Sequence, residues 1–192
     1  YSDDVFGEGD RDQYFGTAMG VGGFTLKKPI NERTYLTSTV AFSHERQRSH
    51  HDFLIRSIDT TTNSISVDSL YPLMGYLFQV SKASVFVSVN HKINRRHLIK
   101  FGLNADMYFF NMRDSALNIP HTEMIDRWDY IGNAIMLQPF VQWKWRVTEN
   151  MDFTAGIHSQ YFSQGNSISP AEPRIGWRLK MKGNQAIFAG AG

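Results

Sequence analysis

His44, His50, His51 and Asp52 are the first residues along the chain whose types could do chemistry, since imidazole and carboxylate are ordinary metal ligands. Their spacing fits no defined ligand motif, and the bland reading is a polar loop rich in histidine. His158-Ser159 with nearby Asp152 offers the base, nucleophile and carboxylate of a hydrolytic triad. Adjacent residues of a strand point to opposite faces, so His158 and Ser159 cannot hydrogen-bond side by side. The glycines between 16 and 23 lack the Lys-Ser/Thr and the helix that complete a phosphate-binding loop. No catalytic residue, metal ligand or cofactor is therefore expected, and the reading is of a protein that is not an enzyme. What remains is recognition: residues 59–68, Tyr71 and His121 to Trp128 are acidic, hydroxyl-rich and aromatic. Surfaces of that kind bind solutes by many weak polar contacts with aromatic platforms.

The elements that must carry these residues show a period of two. Ile99, Phe101, Leu103, Ala105, Met107 and Phe109 fall on one side of a strand, and Lys100, Gly102, Asn104, Asp106 and Tyr108 on the other. A helix would repeat near 3.6 instead. The same alternation sets Ala83, Val85, Val87 and Val89 against Lys82, Ser84, Ser88 and Asn90. It sets Ile135, Leu137, Val141, Trp143 and Trp145 against Gln138, Gln142, Lys144 and Arg146. It also sets Phe153, Ala155 and Ile157 against His158 and Gln160, and Ile175, Trp177 and Leu179 against Arg174 and Arg178. Eight antiparallel strands are expected at about 14–27, 34–47, 76–93, 97–112, 130–147, 151–162, 173–181 and 185–192. Tight links at 28–33, 94–96, 148–150 and 182–184 alternate with long ones at 48–75, 113–129 and 163–172. Short turns on one rim and long loops on the other predict a transmembrane β-barrel.

Strand length supports this over a soluble sandwich, whose strands are typically ~5–6 residues. A charge facing lipid at mid-membrane costs about 2–4 kcal/mol, so Lys82 and Asp106 must face a lumen or another protein group. By the same argument the lumen-facing candidates are Lys82, Lys100, Asn104, Asp106, Gln138, Gln142, His158, Gln160, Arg174 and Arg178. Trp143, Trp145 and Trp177 belong to an aromatic belt at the membrane interface. Pro139 falls mid-strand and predicts a bulge or a displaced segment, and Gly20, Gly22 and Gly23 predict a bulge or a close backbone approach. Asn31, Asn94 and Asn150 sit in the short turns, where asparagine tolerates a left-handed backbone.

Composition agrees. Mean hydropathy is −0.34, aromatics are 14 %, net charge is +2 and there is no cysteine. No apolar run approaches the ~18 residues of a membrane helix. No signal peptide is visible from Tyr1-Ser2-Asp3-Asp4 onward. Lys27, Lys28, Arg33, Lys92, Arg95, Arg96, Lys100, Lys144, Arg146, Lys180 and Lys182 gather at the short-turn rim, with only Glu32, Glu149 and Asp152 opposing them. They are scattered over four turns rather than one stripe, so no nucleic-acid partner is expected.

Ala155-Gly156-Ile157-His158-Ser159-Gln160-Tyr161-Phe162, then Ser169-Pro170-Ala171-Glu172-Pro173-Arg174-Ile175-Gly176-Trp177-Arg178, then Gly190-Ala191-Gly192, resembles TonB-dependent outer-membrane receptors. The resemblance is to the branch with an N-terminal carboxypeptidase-regulatory-like domain. It implies that residues 1–192 are a single partial barrel domain, an internal slice of a 22-stranded barrel lacking the plug and the remaining strands. It implies outer-membrane lipid as the surroundings in a Gram-negative cell, with TonB and the plug as partners through other parts of the parent. The implied function is energised uptake of a scarce solute: siderophore, vitamin, peptide or glycan. The residues leave open a complete eight-stranded outer-membrane barrel with a structural or adhesive role, and a soluble carbohydrate-binding module.

Overall fold

The computed structural model describes residues 11–62, 64–118 and 123–192; Tyr1 to Asp4, Asn63 and His121 lie outside them. The protein is all-β. Eight strands run β1 (Arg11–Asn31), β2 (Thr34–Asp59), β3 (Ser64–Lys92), β4 (His97–Leu117), β5 (Met124–Arg146), β6 (Met151–Phe162), β7 (Ser167–Lys180) and β8 (Ala186–Ala191). They form one antiparallel sheet in chain order, and β1 and β8 are its two edges. The strands resolve into two compact units. The larger holds Val21–Ser43, Lys82–Tyr108 and Asn133–Gly192; the smaller holds the residues up to Gly20, His44–Ser81 and Phe109–Gly132.

Several strands are far longer than their polarity suggests. The long loops expected at 48–75 and 113–129 are mostly strand, because β2 runs on to Asp59 and β3 begins at Ser64, while β4 runs on to Leu117 and β5 begins at Met124. Ile65 and Val67 continue an apolar face into the β2–β3 hairpin. Its other face carries hydroxyl and carboxylate groups, where Ser57 Oγ lies 2.8 Å from Ser66 Oγ and donates to Asp68 Oδ1 at 2.9 Å. Such cross-strand polar pairs stabilise a ladder as apolar pairs do. The contrast between the rims is thus one of hairpin length rather than loop length. The third expected loop, 163–172, shrinks to a turn at 163–166, with Asn166 at φ 44°.

Register is printed into β5–β8. Along β5 and β6 it holds without a slip from Met136↔Phe162 to Arg146↔Asp152, so Pro139 makes no bulge there. The irregularity falls one strand over, between His158 and Gln160 in the β6–β7 ladder, where Ser159 Oγ donates to the carbonyl of Pro170. Pro170 and Pro173 lie in a stretch of β7 beyond the β8 pairing, which ends at Ile175↔Ala191, so their missing N–H groups face an open edge. The turn asparagines also act differently from expectation. Asn31 and Asn94 use their side-chain oxygens to accept from Arg33 N at 2.9 Å and Arg96 N at 2.8 Å. Asn150 N donates to Thr148 Oγ1 at 3.3 Å. Among described residues the left-handed non-glycine positions are Asn166 and Asn184 instead. An Asx turn satisfies the turn amide through the side chain, which removes the need for a positive φ.

Gly23 meets the expectation of a close approach: a Cβ there would lie 3.0 Å from Val40 O and Ala41 Cβ of β2. Gly20 and Gly22 border open space. The tightest approach to backbone is at Gly102, where a Cβ would clash with the Val87 carbonyl and sit 2.9 Å from Phe140 Cζ. Gly102→Ala is therefore expected to destabilise the sheet by about 1–3 kcal/mol in urea unfolding of the micelle-bound protein, as overpacking does. Gly20→Ala, made into open space, should stay within about 0.5 kcal/mol of wild type.

Candidate functional site

The two faces of the larger unit are chemically opposite, and their burial is inverted relative to a water-soluble protein. Phe101, Leu103, Val87 and Ile135 are exposed, at 48 %, 40 %, 38 % and 39 %. Asp106 is buried, as are Ser88 and Asn90 on the same face of the sheet. Buried apolar side chains among the described residues come to only Leu73, Ala116, Leu117 and Ala134. A soluble domain places its apolar face inside and leaves polar groups wet.

The polar face is a connected network rather than a scatter of charges. Asp106 accepts from Ser84 Oγ and from Asn104 Nδ2 at 2.8 Å. Asn104 Nδ2 also reaches Gln138 Oε1 at 3.1 Å, and Gln138 Nε2 reaches Gln160 Oε1 at 3.3 Å. The chain of bonds thus crosses from β3 to β6. Further along, Glu172 accepts from His158 Nδ1 at 3.0 Å, Ser169 Oγ at 3.0 Å and Arg174 at 3.3 Å. Asp152 takes Lys144 at 3.5 Å and Arg146 at 3.8 Å. The structure therefore brings Asn104, Asp106, Gln138 and Gln160 into one network and His158 with Arg174 into another. Lys82, Lys100 and Arg178 go instead to aromatic rings: Tyr108 at 5.7 Å, Phe86 at 5.8 Å with Phe140 at 5.6 Å, and Phe188 at 5.5 Å. Gln142 lines a cavity of about 490 Å³ with Thr154, Gly156, His158 and Arg174.

Phe86 and Phe140 break the alternation and were not singled out by the sequence pattern. They stack on the polar face at 6.1 Å and 7°. Gly102 supplies the room for Phe140, and the rings give Lys100 a partner that a carboxylate would otherwise provide.

The opposite face carries the aromatic belt. Trp145, Phe153 and Trp177 stand directly opposite one another across β5, β6 and β7. Trp143 stacks on Trp145 at 5.9 Å, and His97 stacks on both while accepting from Trp143 Nε1 at 3.1 Å. His97 could be found from sequence only through its phase, since it opens β4 on the apolar side.

The histidines at the start form no metal centre among the described residues. His44 Nδ1 bonds Ser81 Oγ at 2.8 Å, His50 Nε2 meets Asp52 at 2.9 Å, and His51 Nε2 meets Ser49 Oγ at 2.6 Å. His51 is buried with the edge of its ring against Phe15, and burial first, then the charges of Arg11 and His50, hold its pKa below the ordinary value, against the pull of Asp52. His158 and Ser159 have separate partners, Glu172 and Pro170 O, on opposite faces. Of the recognition residues, Trp128 meets Phe78 at 6.4 Å, and Phe78 in turn stacks on Tyr76 at 4.7 Å.

No protein-family model matches the chain, and no curated protein matches it.

Two outcomes follow from this geometry. Asp106→Leu leaves Ser84 and Asn104 without their buried acceptor and should cost about 1–3 kcal/mol in urea unfolding, with Asp106→Asn costing less. At the β2–β3 tip, Asp59 accepts from Thr61 N at 2.8 Å and from Thr62 Oγ1 at 2.8 Å. Those bonds, the Thr61 amide foremost, hold its carboxyl below the ordinary value against a small opposing effect of burial. A depressed carboxylate contributes stability that is complete above its unfolded pKa, about 4, and is lost as pH falls through the lower folded value. The Thr61 and Thr62 amide resonances should therefore hold steady down to about pH 4 and shift only below it. In Asp59→Ala they should lack that titration.

Proposed function

We propose that this chain forms part of the wall of a transmembrane β-barrel in the outer membrane of a Gram-negative cell. The barrel is of the TonB-dependent receptor kind and serves energised uptake of a scarce solute, whether siderophore, vitamin, peptide or glycan. The observation that carries this reading is the inverted burial, with Asp106 buried while Phe101, Leu103, Val87 and Ile135 are exposed. A membrane wall needs apolar side chains towards lipid and polar ones towards a lumen, with every backbone group satisfied by neighbouring strands. The row Trp145–Phe153–Trp177 fits a belt at the lipid–water boundary. The segments 155–162, 169–178 and 190–192 add the resemblance to the receptor family. In this reading the ten lumen-facing candidates line the inner wall, lipid surrounds the outer one, and the plug and TonB act through other parts of the parent.

The alternatives fit less well. A closed eight-stranded barrel requires β1 hydrogen-bonded to β8, and in this sheet they are the two edges. A soluble carbohydrate-binding sandwich requires a second layer over the apolar face, whereas Ile131, Ile157 and Ile175 are 77 %, 50 % and 55 % exposed.

The reading is tested by reconstituting the full-length protein in vesicles that carry brominated acyl chains. Fluorescence from Trp143, Trp145 and Trp177 should be quenched strongly, and Trp→Phe at all three should remove most of that quenching. Recovery of the protein in the aqueous fraction, with tryptophan emission untouched by the bromolipid, would overturn it.

A further inference from the structure

Register puts Lys144, Arg146, Arg174, Arg178 and Lys180 on one face of β5–β8, with Asp152 and Glu172 as the carboxylates among them. Both carboxylates are already engaged, Asp152 by Lys144 and Arg146 and Glu172 by His158, Ser169 and Arg174. Positive charge on this face therefore exceeds negative charge. Arg178 makes the excess specific. Its guanidinium lies over the Phe188 ring at 5.5 Å, and its Nε is buried without a hydrogen-bond partner. A buried donor left unpaired is costly unless something else accepts from it.

The floor between these cations is bare. Gly156 lies opposite Arg174, and Thr154, Gly176 and Gly190 follow one another across β6, β7 and β8. Two cavities open there, of about 490 Å³ and about 260 Å³, and they share Thr154 and Gly176. The larger is walled by Phe140, Gln142, His158 and Arg174, and the smaller by Lys144, Arg178, Phe188 and the carboxylate Asp152, which Lys144 and Arg146 already engage. Side chains at the glycines would fill this trough. Guanidinium groups, a lysine and the Gln142 and Thr154 donors around an open floor are what a carboxylate or phosphate needs.

We propose that the trough across β5–β8 is a binding site for a small polyanionic solute carrying carboxylate or phosphate groups. The inference rests on the uptake reading and narrows its substrate to an anion. Arg174 and Arg178 are the principal contacts, and Phe140 and Phe188 bound the two ends. The charged groups of the site belong to the polar face, so a solute passing along that face would meet them.

The test is equilibrium dialysis of the full-length protein in detergent against pyrophosphate, citrate and the neutral disaccharide maltose. Pyrophosphate and citrate should bind, maltose should not, and affinity should fall as salt rises. Arg174→Gln with Arg178→Gln should weaken the anions by about ten-fold or more, as loss of charge-assisted hydrogen bonds does. Arg174→Lys with Arg178→Lys should recover part of that loss. Arg113→Gln, whose side chain pairs with Asp129 at 3.2 Å elsewhere, should bind like wild type. Unchanged far-ultraviolet circular dichroism in each variant separates lost binding from lost folding. The inference falls if neither anion binds, if maltose binds equally, or if the Gln pair leaves affinity unchanged. It falls equally if a polyglutamate peptide binds where both small anions fail, because the face would then suit an acidic protein segment. Bromolipid quenching remains a separate readout, so a membrane-embedded protein that ignores anions sinks this inference alone.

Discussion

A single-layer sheet has no second layer to bury either of its faces, and that constraint governs the rest of this structure. Along their paired stretches the interior strands satisfy their backbone through two neighbours, without a packed core. What each face presents is then decided by its surroundings. One face of the larger unit bonds to itself, through Asp106, Asn104, Gln138 and Gln160, and the other is dominated by exposed apolar side chains such as Phe101, Leu103, Val87 and Ile135. A hydrocarbon environment suits the second face and an aqueous one the first.

Aromatic rings do different jobs on the two sides. On the apolar side, Trp143, Trp145 and His97 stack nearly parallel, at interplanar angles of 9° to 16°. There they make a continuous flat surface. On the polar side, Phe86, Phe140 and Phe188 offer their ring faces to Lys100 and Arg178. The positive excess of that side is thus met by ring faces as well as by ion pairs.

Much of the larger unit was legible in the residues, because its strands alternate strictly. The bounds of β6 coincide with those read from its pattern, 151–162, and the face of each polar candidate follows from parity alone. The extended hairpin of β2 and β3 was hidden because its tip, Asp59 to Ser64, reads as a solvated turn, although Ile65 and Val67 already alternate with Ser64, Ser66 and Asp68. Pro139 misled because a proline disturbs a ladder only where its N–H is needed, and a sequence does not say which neighbour that would be. Phe86 and Phe140 were obscured by breaking parity, and their meaning lies in Gly102, one strand away and many residues distant. The Glu172 contacts depend on a register shift between His158 and Gln160 that no local pattern announces.

The sheet's order carries a kinetic consequence. Every pairing joins consecutive strands, so each new strand adds to an existing edge after closing only a short link. Such a meander has low contact order for an all-β chain and can grow hairpin by hairpin, with no stage that awaits a distant segment. The β6–β7 hairpin, closed by a turn at 163–166 and held by the Glu172 bonds, is one such unit, complete within residues 151–180.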